Sequence, residues 1–347
     1  SIRHILVRQE QNAAHAASGY TRSCGKPGVC IATSGPGATN LITGLATAYM
    51  DSIPLIAITG QVRSDLLGRD VFQEADITGS CESFIKHSYL VKQTADLPRI
   101  FKEAFHIATT GRPGPVLIDI PIDIQQGTIE KFVYPEKADI IGYKPRTQGH
   151  PLQIKKAVEQ INQSKRPVIC AGGGVLSSGG KKNLVAFAEK TGIPVISTMM
   201  GIGVMPSEHP LYLGMLGSHG VAAANKAIHN ADLVILCGAR VGDRAVAAPN
   251  QITEKAKVIH IDIDPAEIGK NMIAHIPIVG NIRTVLESLL EKVDFHVDDA
   301  WTATTQEWKT TLQKEPRHFP GYVEPCSFIR EFSKLLQSKA IWVADVG

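Results

Sequence analysis

The feature that most constrains the fold is the alternation of short apolar runs with helix-like segments along the 347-residue sequence. The largely apolar runs at 55–59, 116–120 and 167–171 have the length and composition of strands buried on both faces. Segments with helical periodicity, such as 97–110, lie between such runs. Strands that alternate with helices form parallel sheets covered on both faces. The sequence therefore predicts an α/β fold with two doubly wound parallel-sheet domains and the start of a third.

The predicted elements fall into three regions. The stretch 127–149 mixes charge, proline and glycine without periodicity, which is typical of an interdomain linker. We therefore expect a first domain at 1–128, a linker at 129–150, a second domain at 151–312 and the start of a third at 313–347. Further elements are predicted as strands at 5–7, 29–33, 194–197, 231–237, 258–264 and 340–347, and as helices at 152–163 and 325–336.

A carboxylate stands at the start of an alanine-rich helix. Residues 5–7 predict a short buried strand, and Ala13, Ala14 and Ala17 recur at helical spacing behind Glu10. A helix with so small a face packs closely against its neighbours. Because burial raises the pKa of a carboxyl group, Glu10 is a candidate for acid–base chemistry. Alternatively, Glu10 only favours the positive end of the helix dipole.

A glycine-rich turn follows the next predicted strand. Its sequence, Ser34-Gly-Pro-Gly, opens another helix, where backbone N–H groups can approach a ligand closely. The carboxyl ends of parallel strands share one edge of a sheet, and ligands bind at that edge in open α/β folds. We therefore expect Glu10, Ser34 and Gln61 to line one crevice.

The second region carries glycines and acids at strand ends. Gly172-Gly-Gly174 follows the strand 167–171, and Asp262 and Asp264 end the strand 258–264. The glycines alone are weak evidence, because tight strand-to-helix turns use glycine anyway and the full G-x-G-x-x-G pattern is absent. The acids are better evidence, since the ribose hydroxyls of a dinucleotide need acceptors there. This region predicts a Rossmann-like, nucleotide-binding domain.

Charge and cysteine content limit the partners and the compartment. The net charge of +3 is too small to indicate nucleic-acid binding. No apolar run approaches the roughly 20 residues that span a bilayer, and no signal peptide is recognisable, so we expect no membrane partner. The six cysteines form no C-x-x-C pair and are expected to be buried free thiols rather than disulfides or zinc ligands. A reducing compartment is implied, either a bacterial cytoplasm or an organellar stroma or matrix.

Several motifs resemble one enzyme family. A strand, Glu10-Gln11, an alanine-rich helix and Ser-Gly-Pro-Gly-x-Thr-Asn at 34–40 resemble the pyrimidine-binding domain of thiamine-diphosphate enzymes. Further segments resemble the large, catalytic subunit of the acetolactate synthase (acetohydroxyacid synthase) family, namely 51–61, 72–74, 111–121, 172–174, 209–220, 238–240, 262–270 and 279–280. The resemblance covers essentially the whole chain. It implies that the second domain is the FAD-binding central domain and that the third is the pyrophosphate-binding domain.

The resemblance also implies ligand contacts. For thiamine diphosphate they are Glu10, Pro36, Asn40 and Gln73. For FAD they are Arg112, Gly172, Gly173, His219, Gly220, Gly238, Arg240, Asp262 and Asp264. The substrate pocket would contain Phe72 and Gln73. Arginine suits such positions because its planar fork pairs two diphosphate oxygens. The residues alone leave other roles open: Arg240 could form a surface salt bridge, and His219 and Phe72 could belong to the core.

The chemistry implied by the family is decarboxylation followed by carbon–carbon bond formation. Glu10 would bond N1′ of the aminopyrimidine, and a two-carbon unit from pyruvate would pass to a second pyruvate or to 2-ketobutyrate. FAD would have a structural role. Mg²⁺ would be held in the third domain, because the Gly-Asp-Gly motif is absent from this sequence, and no metal ligand is predicted here. The family implies a homodimer or homotetramer with a small regulatory subunit, and a chain that is an inactive fragment by itself.

Two departures from the family pattern affect these expectations. Val241 and Gly242 stand where the family has an aromatic residue and an acid, which bears on FAD binding. Ile122 stands where the family has a lysine near the substrate channel. Two alternatives stay open: a related pyruvate oxidase or glyoxylate carboligase, and a non-catalytic flavin- or nucleotide-binding protein. A mere binding module has no physical use for a buried carboxylate at Glu10.

Overall fold

A computed structural model describes residues 2–312, 320–336, 340, 341 and 343. The chain divides into two compact units, residues 1–145 and residues 146–347. The predicted domain limits at 128, 150 and 312 stay predictions. The strand predicted at 340–347 lies largely outside the described residues, and Ala340, Ile341 and Val343 are not in a strand.

The first unit is a four-stranded parallel sheet with helices on both faces. Its strands are β1 (Gly28–Ala32), β2 (Leu55–Gln61), β3 (His87–Leu90) and β4 (Pro115–Pro121), in the order β1-β2-β4-β3. Its helices are α1 (Glu10–Cys24), α2 (Pro36–Thr39), α3 (Ile42–Met50), α4 (Ile77–Cys81), α5 (Leu97–Thr109) and α6 (Ile122–Gln126). Each neighbouring pair of strands is parallel. The sequence did not predict β3, a short strand with partly exposed residues.

Alternate residues of the buried strands supply two separate cores. Leu55 and Ala57 of β2 pack with residues of α1 and α3, including Ala14 and Leu45. Ile56, between them, packs on the opposite face with residues of α5. This alternation is expected because successive strand side chains point to opposite faces of a sheet. It confirms the doubly wound arrangement, and full burial of a leucine such as Leu45 contributes about 1.5–3 kcal/mol.

The small residues of α1 permit very close packing. A Cβ added to Gly44 of α3 would lie 2.4 Å from the Cβ of Ala14, and one added to Gly28 would lie 2.1 Å from the carbonyl oxygen of Ala17. Real Cβ atoms do not approach so closely, so both glycines are fixed by this contact. The predicted close packing of the alanine-rich helix is therefore confirmed.

One predicted element of the first unit is wrong. Residues 5–7 form no strand, and Ile5 and Leu6 are 78% and 92% exposed. Their apolar character alone suggested burial, but a strand also needs a partner for its backbone groups. In the described part of the chain no other strand pairs with this stretch.

The second unit is a six-stranded parallel sheet. Its strands are β5 (Pro167–Ala171), β6 (Val195–Ser197), β7 (Tyr212–Met215), β8 (Leu233–Cys237), β9 (Lys257–Asp262) and β10 (Ile276–Val279). Its helices are α7 (Pro151–Gln163), α8 (Gly173–Ser177), α9 (Lys181–Thr191), α10 (Ala222–Asn230), α11 (Pro249–Thr253), α12 (Ile282–Lys292) and α13 (Asp299–Thr311), with α14 (Pro325–Leu336) after them as predicted. The strand order is β10-β9-β8-β5-β6-β7, and separate cores line its two faces.

This order creates a switch point between β5 and β8. From β5 the chain runs outward through β6 and β7, and then returns to the other side of β5 as β8. The two helices that follow neighbouring strands thus leave in opposite directions, which opens a crevice at the carboxyl ends of those strands. The predicted Rossmann-like arrangement is confirmed. The sequence analysis missed the outer strands β7 and β10.

Candidate active site

Two motifs that are 30 residues apart in sequence meet at the start of α1. Glu10 is the first residue of this helix, and its Oε2 accepts a hydrogen bond from the Nδ2 of Asn40 at 3.1 Å. Gly37 lies close to the same carboxylate, since a Cβ placed there would lie 3.6 Å from Glu10 Oε1. The glycine-rich turn and the carboxylate therefore form one site, as the sequence predicted.

The electrostatics of Glu10 differ from the expectation. Its carboxylate accepts from backbone N–H at the helix start and from Asn40, and these two hydrogen bonds, in this order, lower its pKa below the usual value. Desolvation acts in the opposite direction but is weaker, because the side chain is only partly buried. The predicted raised pKa is therefore wrong for this structure. Glu10 is held as a carboxylate, an acceptor that can face a ligand N–H.

The turn at 34–37 has a backbone that only glycine adopts readily. Gly35 has φ 61° and ψ −123°, a combination that L side chains avoid. Pro36 is the first residue of α2, and both Pro36 and Asn40 are exposed. The sharp turn sends the chain from β1 directly into two short helices, and it leaves these side chains at the edge of the sheet.

A loop from Gly68 to Asp76, here called the 68–76 loop, packs on this turn. A Cβ on Gly35 would lie 2.8–2.9 Å from the carbonyl oxygen, Cα and Cβ of Gln73. Gln73 itself has φ 59°, and the side chain of Phe72 is 88% exposed. The alternative that Phe72 belongs to the core is therefore wrong. Phe72 and Gln73 are presented beside the turn that meets Glu10.

The carboxylate of Glu74 organises the 68–76 loop. It accepts hydrogen bonds from the backbone N–H groups of Gly68 and, at 3.2 Å, Val71. These contacts, with that of Gly68 the largest, lower the pKa of Glu74. These hydrogen bonds stabilise the loop conformation, in which both Asp70 and Gln73 have positive φ.

A buried polar group below the site was not singled out from the sequence. Asp119 of β4 is 1% exposed, and its Oδ1 accepts from Thr59 Oγ1 at 2.6 Å while its Oδ2 accepts from Gln61 Nε2 at 3.0 Å. Burial raises the pKa of Asp119 to about 6. The available signal was a single acid inside the apolar run 115–121, which is costly unless it is hydrogen-bonded.

In the second unit the structure brings together strand ends that are distant in sequence. Ala171 pairs with Cys237 and Cys237 pairs with Ile261, so the residues after β5, β8 and β9 share one edge. The backbone N–H of Gly172 donates to Cys237 at 2.9 Å, and that of Gly238 donates to Ile261 at 2.8 Å. Gly172, Gly238 and Asp262 therefore lie together at the switch point.

The glycines of this edge have a packing role of their own. A Cβ on Gly172 would lie 2.1 Å from the carbonyl oxygen of Gly238, and one on Gly174 would lie 2.8 Å from the Cα of Gly238. Gly238 itself has φ 55°. Two backbones thus touch where side chains would not fit, whether or not a ligand approaches Gly173.

Acidic and basic side chains surround these glycines. Asp262 is 9% exposed, and its Oδ1 accepts from the backbone N–H of Asp264 at 2.9 Å. Asp264 Oδ1 accepts in turn from Ala266 N at 3.0 Å, and Arg240 after β8 is partly buried. The structure therefore gathers one arginine and two carboxylates at the carboxyl edge of the sheet.

The remaining predicted FAD residues have mixed surroundings. His219 is exposed, so the alternative of a core histidine is wrong, and Gly220 lies next to it in the loop after β7. Arg112 belongs to the first unit, where its Nε donates to Ser52 Oγ at 2.9 Å and its guanidinium lies over the ring of Tyr49. The assignments of all predicted ligand residues stay predictions.

The departures from the family pattern have clear positions. Ile122 is the first residue of α6, directly after β4, and is 41% exposed. Val241 is 6% exposed in the core of the second unit, whereas a Cβ on Gly242 would meet no atom within 4 Å. The Val241 side chain therefore fills a core position, and a side chain at position 242 would meet no neighbouring atom.

The six cysteines differ in burial. Cys30, Cys81, Cys170 and Cys237 are buried free thiols as predicted, but Cys24 and Cys326 are exposed, which corrects the prediction for those two. Among the described residues, no helix is long and apolar enough to cross a membrane. Within the same residues, no group of three or more histidine, cysteine or acidic side chains is arranged to hold a metal ion.

Two family models match the chain. The model described as "Thiamine pyrophosphate enzyme, N-terminal TPP binding domain" matches residues 1–80, and "Thiamine pyrophosphate enzyme, central domain" matches residues 154–289. The first match contains Glu10, the glycine-rich turn and the 68–76 loop. The second contains β5 to β10 and the switch point.

Similar proteins support the same family. A probable acetolactate synthase large subunit of Methanocaldococcus jannaschii is 55% identical over 99% of this chain and 60% of its own length. The acetolactate synthase large subunit of Corynebacterium glutamicum is 48% identical over 100% of this chain and 56% of its own length. That of Buchnera aphidicola subsp. Schizaphis graminum is 44% identical over 100% and 62%, so the chain spans about 60% of the length of these relatives. With both domain models in chain order and this similarity along its length, the chain belongs to the thiamine pyrophosphate enzyme family and is similar to acetolactate synthase large subunits.

Proposed function

We propose that this chain forms the N-terminal and central parts of an acetolactate synthase large subunit. The observation that carries the proposal is the hydrogen bond from Asn40 to Glu10, which joins the carboxylate to the Ser-Gly-Pro-Gly-x-Thr-Asn turn. The same residues lie within the match to the N-terminal TPP binding domain. The activity is transfer of a two-carbon unit from pyruvate to a second 2-keto acid, either pyruvate or 2-ketobutyrate.

The residues around Glu10 fit the aminopyrimidine end of thiamine diphosphate. A carboxylate offers about four lone-pair positions, and a backbone N–H and Asn40 use two of them, so Glu10 can still accept from a ring N–H. Asn40 holds the carboxylate in place, and we assign Pro36 and Gln73 to the same pocket. The cofactor, when bound, supplies the electron sink for decarboxylation. Glu10 would accept a hydrogen bond from the protonated N1′, and the glycine-rich turn would let the aminopyrimidine approach the backbone closely.

The donor set at the switch point of the second unit fits a dinucleotide, which we propose is FAD. Arg240 supplies a cation suited to a diphosphate, and Asp262 and Asp264 supply acceptors suited to ribose hydroxyls. We assign Gly172, Gly173 and Gly238 to the floor of this site, with His219 and Gly220 as further contacts. Val241 and Gly242 stand where the family has an aromatic residue and an acid, so we expect weaker FAD retention than those two side chains would give.

The acceptor 2-keto acid is proposed to bind beside Phe72 and Gln73. Phe72 is exposed at the tip of the 68–76 loop and supplies an apolar wall for the methyl or ethyl group of the acceptor. Ile122 supplies no positive charge for the substrate carboxylate. Backbone N–H groups and arginine side chains would then have to neutralise that carboxylate.

Further partners follow from the same assignment. We propose that Mg²⁺ binds with the diphosphate of the cofactor outside this chain, since the sequence has no Gly-Asp-Gly motif. We also propose a homodimer or homotetramer with a small regulatory subunit, because the relatives are named as large subunits. Four buried free thiols favour a reducing compartment, a bacterial cytoplasm or an organelle.

The first test is substitution of Glu10 in a polypeptide in which this chain is completed to the length of its relatives. Glu10→Gln should lower acetolactate formation from pyruvate by about 100-fold or more, because general acid–base groups contribute about 10²–10⁴-fold. Glu82→Gln, an exposed carboxylate of the same unit, is the matched control and should retain wild-type turnover. Glu10→Gln with more than about a tenth of wild-type turnover would contradict the assignment.

A second test addresses FAD and the rival functions. Arg240→Ala should lower FAD retention more than Arg244→Ala, an exposed arginine four residues later. FAD should not be reduced during turnover with pyruvate. Flavin bleaching with acetate or acetyl phosphate as product would indicate a pyruvate oxidase, and tartronate semialdehyde from glyoxylate would indicate a glyoxylate carboligase. Flavin binding without any turnover would indicate a non-catalytic flavin protein.

A third test uses the 347-residue chain alone. Charge-assisted phosphate contacts are about twice as strong as neutral ones, and the residues that we assign here contact only the pyrimidine end. We therefore expect no acetolactate formation and weak or absent binding of thiamine diphosphate. Calorimetric titration that found Mg²⁺-dependent micromolar binding would reveal a diphosphate site within this chain and contradict the assignment.

A further inference from the structure

A buried hydrogen-bond chain connects the centre of the first sheet to the 68–76 loop. Gln61, at the end of β2, is 6% exposed, and its Nε2 donates to Asp119 Oδ2 at 3.0 Å and to the carbonyl oxygen of Ala75 at 2.8 Å. Its Oε1 accepts from Val62 N at 2.9 Å. The two hydrogens of one amide are thus shared between a buried strand residue and the loop.

This chain of contacts is fixed at both ends. Asp119 is held on its other oxygen by Thr59, one strand away. The carbonyl oxygen of Ala75 also accepts from Ile77 N at 2.9 Å at the start of α4. Because both hydrogens and the oxygen of the Gln61 amide are engaged, its orientation is determined, and so is the position of the Ala75 carbonyl.

Because Ala75 is held in place, the residues just before it in the loop have restricted positions. Gln73 and Phe72 precede Ala75 by two and three residues, and Gln73 rests on Gly35 with φ 59°. Loops held by few contacts open readily, so each hydrogen bond between such a loop and the core limits the motion of the loop. The hydrogen bond from Gln61 to Ala75 links this loop to a buried side chain of the sheet, whereas Glu74 bonds within the loop itself.

We propose that Asp119 and Gln61 are positioning residues that hold the 68–76 loop so that Phe72 and Gln73 face the acceptor 2-keto acid. The proposal rests on the proposed function, which assigns Phe72 and Gln73 to the acceptor pocket. Asp119 does not touch the substrate. It acts through Gln61 and the carbonyl group of Ala75.

The first arm of the test measures hydrogen–deuterium exchange in the 347-residue chain. In Asp119→Asn, which keeps size and shape, the negative charge and one acceptor oxygen are lost. Even when the remaining oxygen faces Gln61 and the new amide donates to the Thr59 hydroxyl, Gln61 has a neutral acceptor in place of a charged one. We expect exchange of the amides of Glu74 and Ile77 to rise about tenfold, the difference between a hydrogen bond to a charged group and a neutral one. Exchange in α5 should stay within about twofold of wild type.

Glu103→Gln is the matched control. Glu103 is a second buried carboxylate of the same unit, and it accepts from Tyr89 and Arg99, which both lie outside the 68–76 loop. This variant should raise exchange in α5 and leave the loop unchanged. Equal rises throughout the first unit in Asp119→Asn would overturn the proposal, because they would indicate general destabilisation. Gln61→Met removes the hydrogen bond to Ala75 without changing Asp119, so it should raise amide exchange in the loop in the same way. Unchanged loop exchange in Gln61→Met would also overturn the proposal.

The second arm measures acetolactate formation by the polypeptide completed to the length of its relatives. Asp119→Asn should raise the KM for the acceptor, 2-ketobutyrate, by about tenfold and leave decarboxylation of pyruvate within about twofold, because only the acceptor pocket is disturbed. An equal fall of both steps would contradict the positioning role. If the wild-type polypeptide makes no acetolactate, the proposed function fails, and the exchange arm still decides whether Asp119 and Gln61 hold the loop.

Discussion

Replacing Gly35 by alanine should destabilise the first unit more than any change of backbone preference alone explains. The conformation at φ 61° and ψ −123° costs an L residue about 1–3 kcal/mol. The new Cβ would also lie 2.8–2.9 Å from three atoms of Gln73, two of them backbone atoms that cannot rotate away. Overpacking of this kind costs about 1–3 kcal/mol. The expected loss of stability is therefore about 2–6 kcal/mol.

Gly25→Ala separates the two contributions. Gly25 ends α1 with φ 71° and ψ 5°, and no atom lies within 4 Å of a Cβ added there. This variant should lose only the left-handed backbone cost, about 1–2 kcal/mol. The difference between the two variants measures the contact between Gly35 and Gln73.

Native-state hydrogen exchange of α3 amides provides the free energy of opening of the first unit. Tryptophan fluorescence is not used for this purpose, because Trp301 and Trp308 lie in α13 of the second unit. If both variants lower the opening free energy by the same amount within about 0.5 kcal/mol, the usual additivity error, the 68–76 loop does not press on Gly35 and the reasoning is wrong.

Three further predictions concern titration and reactivity. Asn40→Ala should raise the pKa of Glu10 toward its ordinary value, because one of the two hydrogen bonds that lower it is lost, and ¹³C NMR of the carboxyl group would detect an unchanged pKa as a contradiction. Burial raises the pKa of Asp119 from 3.8 to about 6, so its protonated form stabilises the first unit below about pH 4. This contribution, about 2–3 kcal/mol, is lost as the pH rises through 6. Asp119→Asn should abolish that pH dependence in exchange measurements. A thiol reagent at pH 8 should modify Cys24 and Cys326 quickly and the four buried cysteines slowly, and fast modification of all six would show that the cores open readily.

The sequence by itself determined the class of fold and the family. Apolar runs at 55–59 and 167–171 are buried on both faces in any parallel sheet, so their alternation with helices was sufficient to predict two doubly wound domains. The spacing of Ala14 and Ala17 predicted close packing for the same local reason. The Glu10 helix and the Ser34–Asn40 turn carried the resemblance, because close approach to a ligand requires those residue types.

Only the tertiary structure decided the electrostatics and the ties between distant segments. The pKa of Glu10 depends on how much water, backbone N–H and amide surround it, and sequence spacing does not specify that balance. The strand expected at 5–7 failed because strand formation depends on a pairing partner and not on apolar residues alone. The bond from Asp119 through Gln61 to Ala75 joins three segments of the chain. Such contacts arise from the register of parallel strands, which sets which side chains meet once the sheet has formed.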